Sequence, residues 1–131
     1  KTTKLHLEDI MEKYKSVVLG GETYELATTL RVAYRVQGQN NHKPYSEVFA
    51  NIGDMTLEDQ VGILYEAFWC ANPTARTQYT RQQFLEEYLD RYNVKQMMLQ
   101  LKTVIQGIMG IRDDEVENAN PQPEQETTAQ Q

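Results

Sequence analysis

Two histidines and one cysteine are the residues of this chain best able to bind a metal or act as a nucleophile. His6 and His42 stand far apart, and neither has a cysteine or a second histidine at ligand spacing. A tetrahedral zinc centre needs about four such ligands, so the pattern does not support one. Cys70 lies inside the apolar run "VGILYEAFWCA" with no histidine nearby in sequence. It reads as a small core residue rather than an activated thiolate. Gly20-Gly21 are adjacent and lack the strand–glycine–helix spacing that cradles phosphate. No nucleophile is paired with a base, no cofactor is implied, and an enzyme is not expected.

The residues left over suit binding rather than bond-breaking. Arg31, Arg35 and Lys43 occupy a stretch from Leu26 to Ser46 that has no acid, whereas 44–75 carries Glu47, Asp54, Glu58, Asp59 and Glu66 with no Lys or Arg. Opposite charge in successive segments can steer a partner or a second copy, although ordinary solvated faces explain it more simply. Trp69 and the methionines Met97, Met98 and Met109 are adaptable contact residues that also serve in a core. Together with Leu99, the residues Arg31, Arg35, Trp69, Met97, Met98 and Met109 are the candidate partner-binding residues.

The composition narrows the class of partner. Residues 1–112 hold thirteen acids and all thirteen Lys and Arg, so the net charge of −6 comes from Asp113, Asp114, Glu115, Glu117, Glu124 and Glu126 alone. The body has no basic excess for phosphate backbones, and no nucleic-acid partner is expected. A single cysteine excludes an internal disulfide and fits a reducing compartment. No apolar run approaches the roughly 20 residues of a membrane span, and no leader-like segment opens the sequence. Lys1 stands in place of Met, which predicts a processed start. The reading is a soluble cytoplasmic protein.

The elements that must position these residues follow from periodicity. Leu7, Ile10, Met11 and Tyr14 predict a short first helix. Around Gly20-Gly21, a two-residue turn pairs Leu19 with Glu22 and Val17 with Tyr24, predicting a hairpin over 16–26. Val17, Leu19, Tyr24 and Leu26 then share an apolar face. That hairpin either lies on the helices as a lid or offers an edge strand to another copy. Thr28 or Thr29 caps a helix ending at Gly38, with Leu30, Ala33, Tyr34 and Gln37 inward. Pro44 opens a helix bearing Tyr45, Val48, Phe49 and Ile52, closed by Gly53.

Thr56 caps a helix to Ala71, whose stripe of Leu57, Val61, Leu64, Phe68 and Ala71 widens until it should be the most enclosed element. Thr80–Gln83 is a capping-box pattern before a helix to about Tyr92. Asn93 caps a last helix, Val94–Met109, closed by Gly110. Its seam is Val94, Met98, Leu101, Ile105 and Ile108, broadened by Met97, Val104 and Met109. Leu99 lies apart from that seam and is expected to leave apolar surface outside.

The fold class is therefore mainly α: a domain over 1–112 of five to six helices with one N-terminal β-hairpin. An acidic tail at 113–131 is too poor in apolar residues to order itself.

The succession "LEDIMEKYKSVVLGGETYEL", "TTLRVAYRVQGQ", "YSEVFANIGDMTLEDQVGILYEAFWCANP" and "QFLEEYLDRYN" resembles the tail assembly chaperones of long-tailed bacteriophages and prophages over Leu5 to about Gly110. That resemblance implies a non-enzymatic protein of the host bacterial cytoplasm that binds the tape-measure protein and keeps it soluble. It further implies help in recruiting the major tail-tube protein, and absence from the mature virion. The chain would be the short form, its tail lying where a frameshifted extension is joined. A homo-oligomer is compatible with this role. Two other roles are weighed: a structural tail or head-completion protein retained in the particle, and a small helical DNA-binding regulator using 44–52 and 57–71. The acids Glu58, Asp59 and Glu66 on the second of those helices argue against the regulator.

Overall fold

The computed structural model describes residues 13–111. Within them two short strands, β1 (Ser16–Leu19) and β2 (Glu22–Glu25), precede five helices. These are α1 (Leu30–Gln39), α2 (Tyr45–Ala50), α3 (Leu57–Ala71), α4 (Arg81–Arg91) and α5 (Val94–Met109). Single 3-10 turns at Ile52–Asp54 and Ala75–Thr77 flank α3. The expected helix over Leu7–Tyr14 falls almost wholly outside the described span, and the acidic tail lies beyond it.

The hairpin forms in the expected register, Leu19 opposite Glu22 and Val17 opposite Tyr24. Both turn glycines take positive φ, 56° at Gly20 and 84° at Gly21, the pair a two-residue turn matched to strand twist requires. Val17, Leu19 and Leu26 are buried, so the apolar face is laid on the helices. β1 offers no free edge, because side chains from α4 and α5 occupy it. The Val18 N–H donates to the Tyr92 hydroxyl at 2.9 Å, the Gly20 N–H to Glu87 at 3.2 Å, and the Gln100 amide to the Ser16 carbonyl at 2.9 Å. Its apolar face and its β1 edge thus serve as a lid on the helices.

Helix ends follow local chemistry. Thr80 with Gln83, and Asn93 with Gln96, both close reciprocal capping boxes. Thr56 accepts from the Asp59 N–H alone. Gly110 ends α5 in the left-handed region. Gly38 does not end α1; the helix runs through it to Gln39 and stops at Asn40. Asn40 turns its amide back to the Val36 carbonyl, and Asn41 and His42 then take the positive φ. α2 stops at Ala50, short of the expected Gly53.

α3 is the central element, with Gln60 through Phe68 all buried, and α1, α4, α5 and β2 packed around it. Only its first turn, Leu57 to Asp59, is exposed, and that turn carries two acids. Aromatic rings run outward from α3 in steps of ordinary edge and stacked geometry. Phe68 meets Tyr24 of the lid at 5.5 Å and Phe84 of α4 at 5.2 Å, and Tyr88 stacks on Tyr92 at 4.5 Å.

Two helices are turned relative to the expected faces. In α1 the buried residues are Val32, Ala33 and Val36, while Leu30 is 73% and Tyr34 68% exposed. In α5 they are Met97, Gln100, Leu101, Thr103 and Val104, and Val94 is exposed. Leu57 of α3 is likewise exposed. At Gly107, α5 meets the start of α1 so closely that an added Cβ would stand 2.7 Å from the Thr28 side chain.

Candidate functional site

α1 presents Arg31 and Arg35 one helical turn apart, and its rotation brings Leu30 and Tyr34 to the surface beside them. The end of α3 supplies Trp69 and Cys70. After Pro73 the chain turns back through the 3-10 turn and delivers Arg76, whose N–H donates to the Asn72 carbonyl at 2.9 Å. These segments enclose a cleft of about 360 Å³ lined by Arg31, Tyr34, Arg35, Trp69, Cys70 and Arg76.

Trp69 is its centrepiece. The guanidinium carbon of Arg35 lies 3.5 Å from the ring centroid and that of Arg76 lies 3.6 Å from it. Two groups of that size at that distance require opposite faces, so the indole is sandwiched. Each such contact is worth about 0.5–2 kcal/mol, more as water is excluded. Both arginines are anchored. Arg76 donates to the Trp69 carbonyl at 3.2 Å. Arg35 Nε donates to Glu66 Oε1 at 2.5 Å, and the other oxygen of Glu66 accepts from Arg81 at 2.6 Å.

Glu66 is only 1% exposed. Room for Arg81 comes from Gly62, one turn earlier on α3, where a Cβ would stand 2.1 Å from an Arg81 nitrogen. Arg35 and Arg81 thus share a single carboxylate, whereas Arg31 and Arg76 have no carboxylate partner among the described residues. The surface is a rigid, electropositive, aromatic-floored cleft. It suits carboxylates and other anions with an aromatic or apolar neighbour.

Cys70 faces this cleft half-buried. Burial pushes its thiol up, and Glu66 adds to the rise, against the lowering pull of Arg35, Arg31 and Arg76. Desolvation wins, so the thiol stays protonated where an exposed cysteine begins to ionise. Alkylation of the folded protein by iodoacetamide near neutral pH is expected to be on the order of tenfold slower than that of the chain in denaturant. Equal rates would contradict it.

Of the sequence candidates, Arg31, Arg35 and Trp69 are brought together here. The methionines are not. Met97 is buried in the core, Met98 half-buried against it, and Met109 44% exposed at the far end of α5. Leu99 is half-buried and stands outside the core cluster. The expected charge contrast between α1 and the acids that follow is partly internal, because Arg35 and Glu66 pair with each other.

Sequence reasoning missed Arg76, Tyr34, Arg81, Gly62 and the role of Glu66. One signal was available: a lone acid in the middle of "VGILYEAFWC" can be buried only with a cation beside it. Arg76 had none, since it reaches the site through an irregular turn.

A second, larger depression of about 690 Å³ runs along α4 between Gln78 and Arg91 and is polar, with Glu86, Glu87 and Asp90 in its wall. Among the described residues no group of three or more His, Cys, Asp or Glu could hold a metal, and no helix is long and apolar enough to cross a membrane. No family model, no curated protein and no solved structure matches this chain.

Proposed function

We infer that the chain is a non-enzymatic binding protein of the phage tail assembly chaperone kind, taking the tape-measure protein as its partner. The observation that supports this reading best is the outward face of α1. Leu30 and Tyr34 are exposed side by side, with Arg31 and the Arg35–Trp69–Arg76 stack beside them. Tyrosine, tryptophan and arginine are the residues on which interface energies concentrate, and Leu30 adds apolar area beside them. A long helical partner with apolar stripes and acidic flanks would lay its stripe on Leu30 and Tyr34 and its carboxylates on Arg31 and Arg76. Covering such a stripe keeps the partner from self-association. The role is carried out in the host bacterial cytoplasm, brings in the tail-tube protein, and ends before the virion is complete.

The test is co-expression with the tape-measure protein of the same genome. Arg31→Glu with Tyr34→Ser alters only exposed positions, so the melting temperature should stay within a few degrees. Affinity should fall by about 10–100-fold, from truncation of two contact residues, and the tape-measure protein should move to the insoluble fraction. A variant that still holds it in solution defeats the reading. Mass spectrometry of purified particles separates a departing chaperone from a retained tail component.

A further inference from the structure

We propose that the Arg31–Arg35–Arg76 cleft is occupied, in the protein on its own, by the acidic segment Asp113–Glu117 of the same chain. The proposal rests on reading the cleft as a binding face, and adds a built-in competitor for it. Three observations converge. The first is charge: four of the five residues from Asp113 to Glu117 are acids, in a chain whose other 112 leading residues balance to zero. The cleft holds Arg31 and Arg76 without a carboxylate among the described residues.

The second observation is position. Gly107 of α5 rests on Thr28, which lies three residues before Arg31. The chain leaving Gly110 therefore starts at the same end of α1 as Arg31. From Gly110 to Glu117 the chain can extend about 23–25 Å at 3.3–3.6 Å per residue. The step from Arg31 to Arg35 is only about 6 Å along the helix. The third observation is the floor. The exposed Tyr34 ring and the half-buried edge of Trp69 left between its two arginines give Val116 an apolar surface between the carboxylates. Arginine pairs with carboxylates through two parallel hydrogen bonds, which fixes the segment rather than merely attracting it. Docking within one chain also benefits from a high effective concentration.

Trp69 is the only tryptophan, so its fluorescence reports the cleft alone. The full chain is compared with its D113N/D114N/E115Q/E117Q variant, using iodide as an anionic quencher at low ionic strength. With the segment docked, iodide is excluded from the cleft. The neutralised variant should be quenched about threefold more strongly, and salt should bring the wild type toward it. Free peptide of residues 112–126 should restore protection to the variant and do little to the wild type. In a second measurement, Arg31→Gln should shift the amide resonances of 113–117. Equal quenching of both chains, or tail amides indifferent to Arg31→Gln, would overturn the proposal. Protection that disappears on dilution would also overturn it, assigning the cleft to another copy's tail. Neither readout involves the tape-measure protein, so failure here leaves the partner-binding reading intact, and failure of that reading leaves these readouts unaffected.

Discussion

Replacing Arg35 and Arg81 together with methionine, while Glu66 stays, is expected to cost about 3–5 kcal/mol of folding stability, the usual toll of a buried charge stripped of its partners. Glu66 sits at the centre of α3 with 1% of its side chain exposed, so water cannot replace the guanidinium groups. Both carboxylate oxygens lose their donor at once. The arginines themselves are 26% and 37% exposed and lose less on separation. For that reason the reverse change, Glu66→Met alone, should be milder, since the freed arginines can turn toward solvent.

The triple variant discriminates the mechanism. Adding Glu66→Met to the double variant should recover most of the loss, because an apolar side chain of similar length removes the stranded charge. Thermal unfolding checks it: a fall of more than about 10 °C for the double variant, largely reversed in the triple. A double variant that melts like the wild type would show that Glu66 draws no stability from its two partners. The same change also bears on the cleft, for Arg35 holds one face of Trp69.

Features decided by neighbouring residues were legible in the sequence. The Gly20-Gly21 turn, the register it sets, the Thr80–Gln83 capping box, the Asn93 cap and the Gly110 stop each depend on a few adjacent positions, and each formed as read. The faces of α1 and α5 depend on what lies across from them, and an apolar stripe alone misplaced both. On α1 two stripes compete. Val32, Ala33 and Val36 turn inward, and that rotation carries Arg35 to Glu66 and leaves Leu30 and Tyr34 in solvent. On α5 the inward face includes Gln100 and Thr103, which a search for apolar spacing skips. Half of the cleft was therefore visible as Arg31, Arg35 and Trp69. The remainder came from a rotated helix and an irregular turn, neither of which has a period to read.

Gln100 explains why α5 turns as it does, and Gln100→Leu is expected to remove about 2–5 kcal/mol, from two buried polar groups left without partners. Its side chain is 1% exposed and joins three elements. The carbonyl oxygen accepts from the Tyr88 hydroxyl of α4, and the amide donates to the Ser16 carbonyl of β1 at 2.9 Å. Leucine fills the same space but satisfies neither. Tyr88 is 2% exposed and cannot find water instead.

Adding Tyr88→Phe to Gln100→Leu should return about 1–2 kcal/mol by removing the stranded hydroxyl, leaving the Ser16 carbonyl as the residual cost. A linked pH effect follows. Burial above all, and the neighbouring Tyr92, push the Tyr88 phenol far above its ordinary value of 10.0. The unfolded chain then ionises first. The stability this contributes is complete below about pH 10 and declines as pH rises beyond it. Chains carrying Tyr88→Phe should lose less stability above pH 10 than the wild type does. Denaturant melts from about pH 8 to 11 decide the matter. If Gln100→Leu unfolds at the same denaturant concentration as the wild type, the Gln100 bridge between Tyr88 and the Ser16 carbonyl contributes nothing to holding the lid.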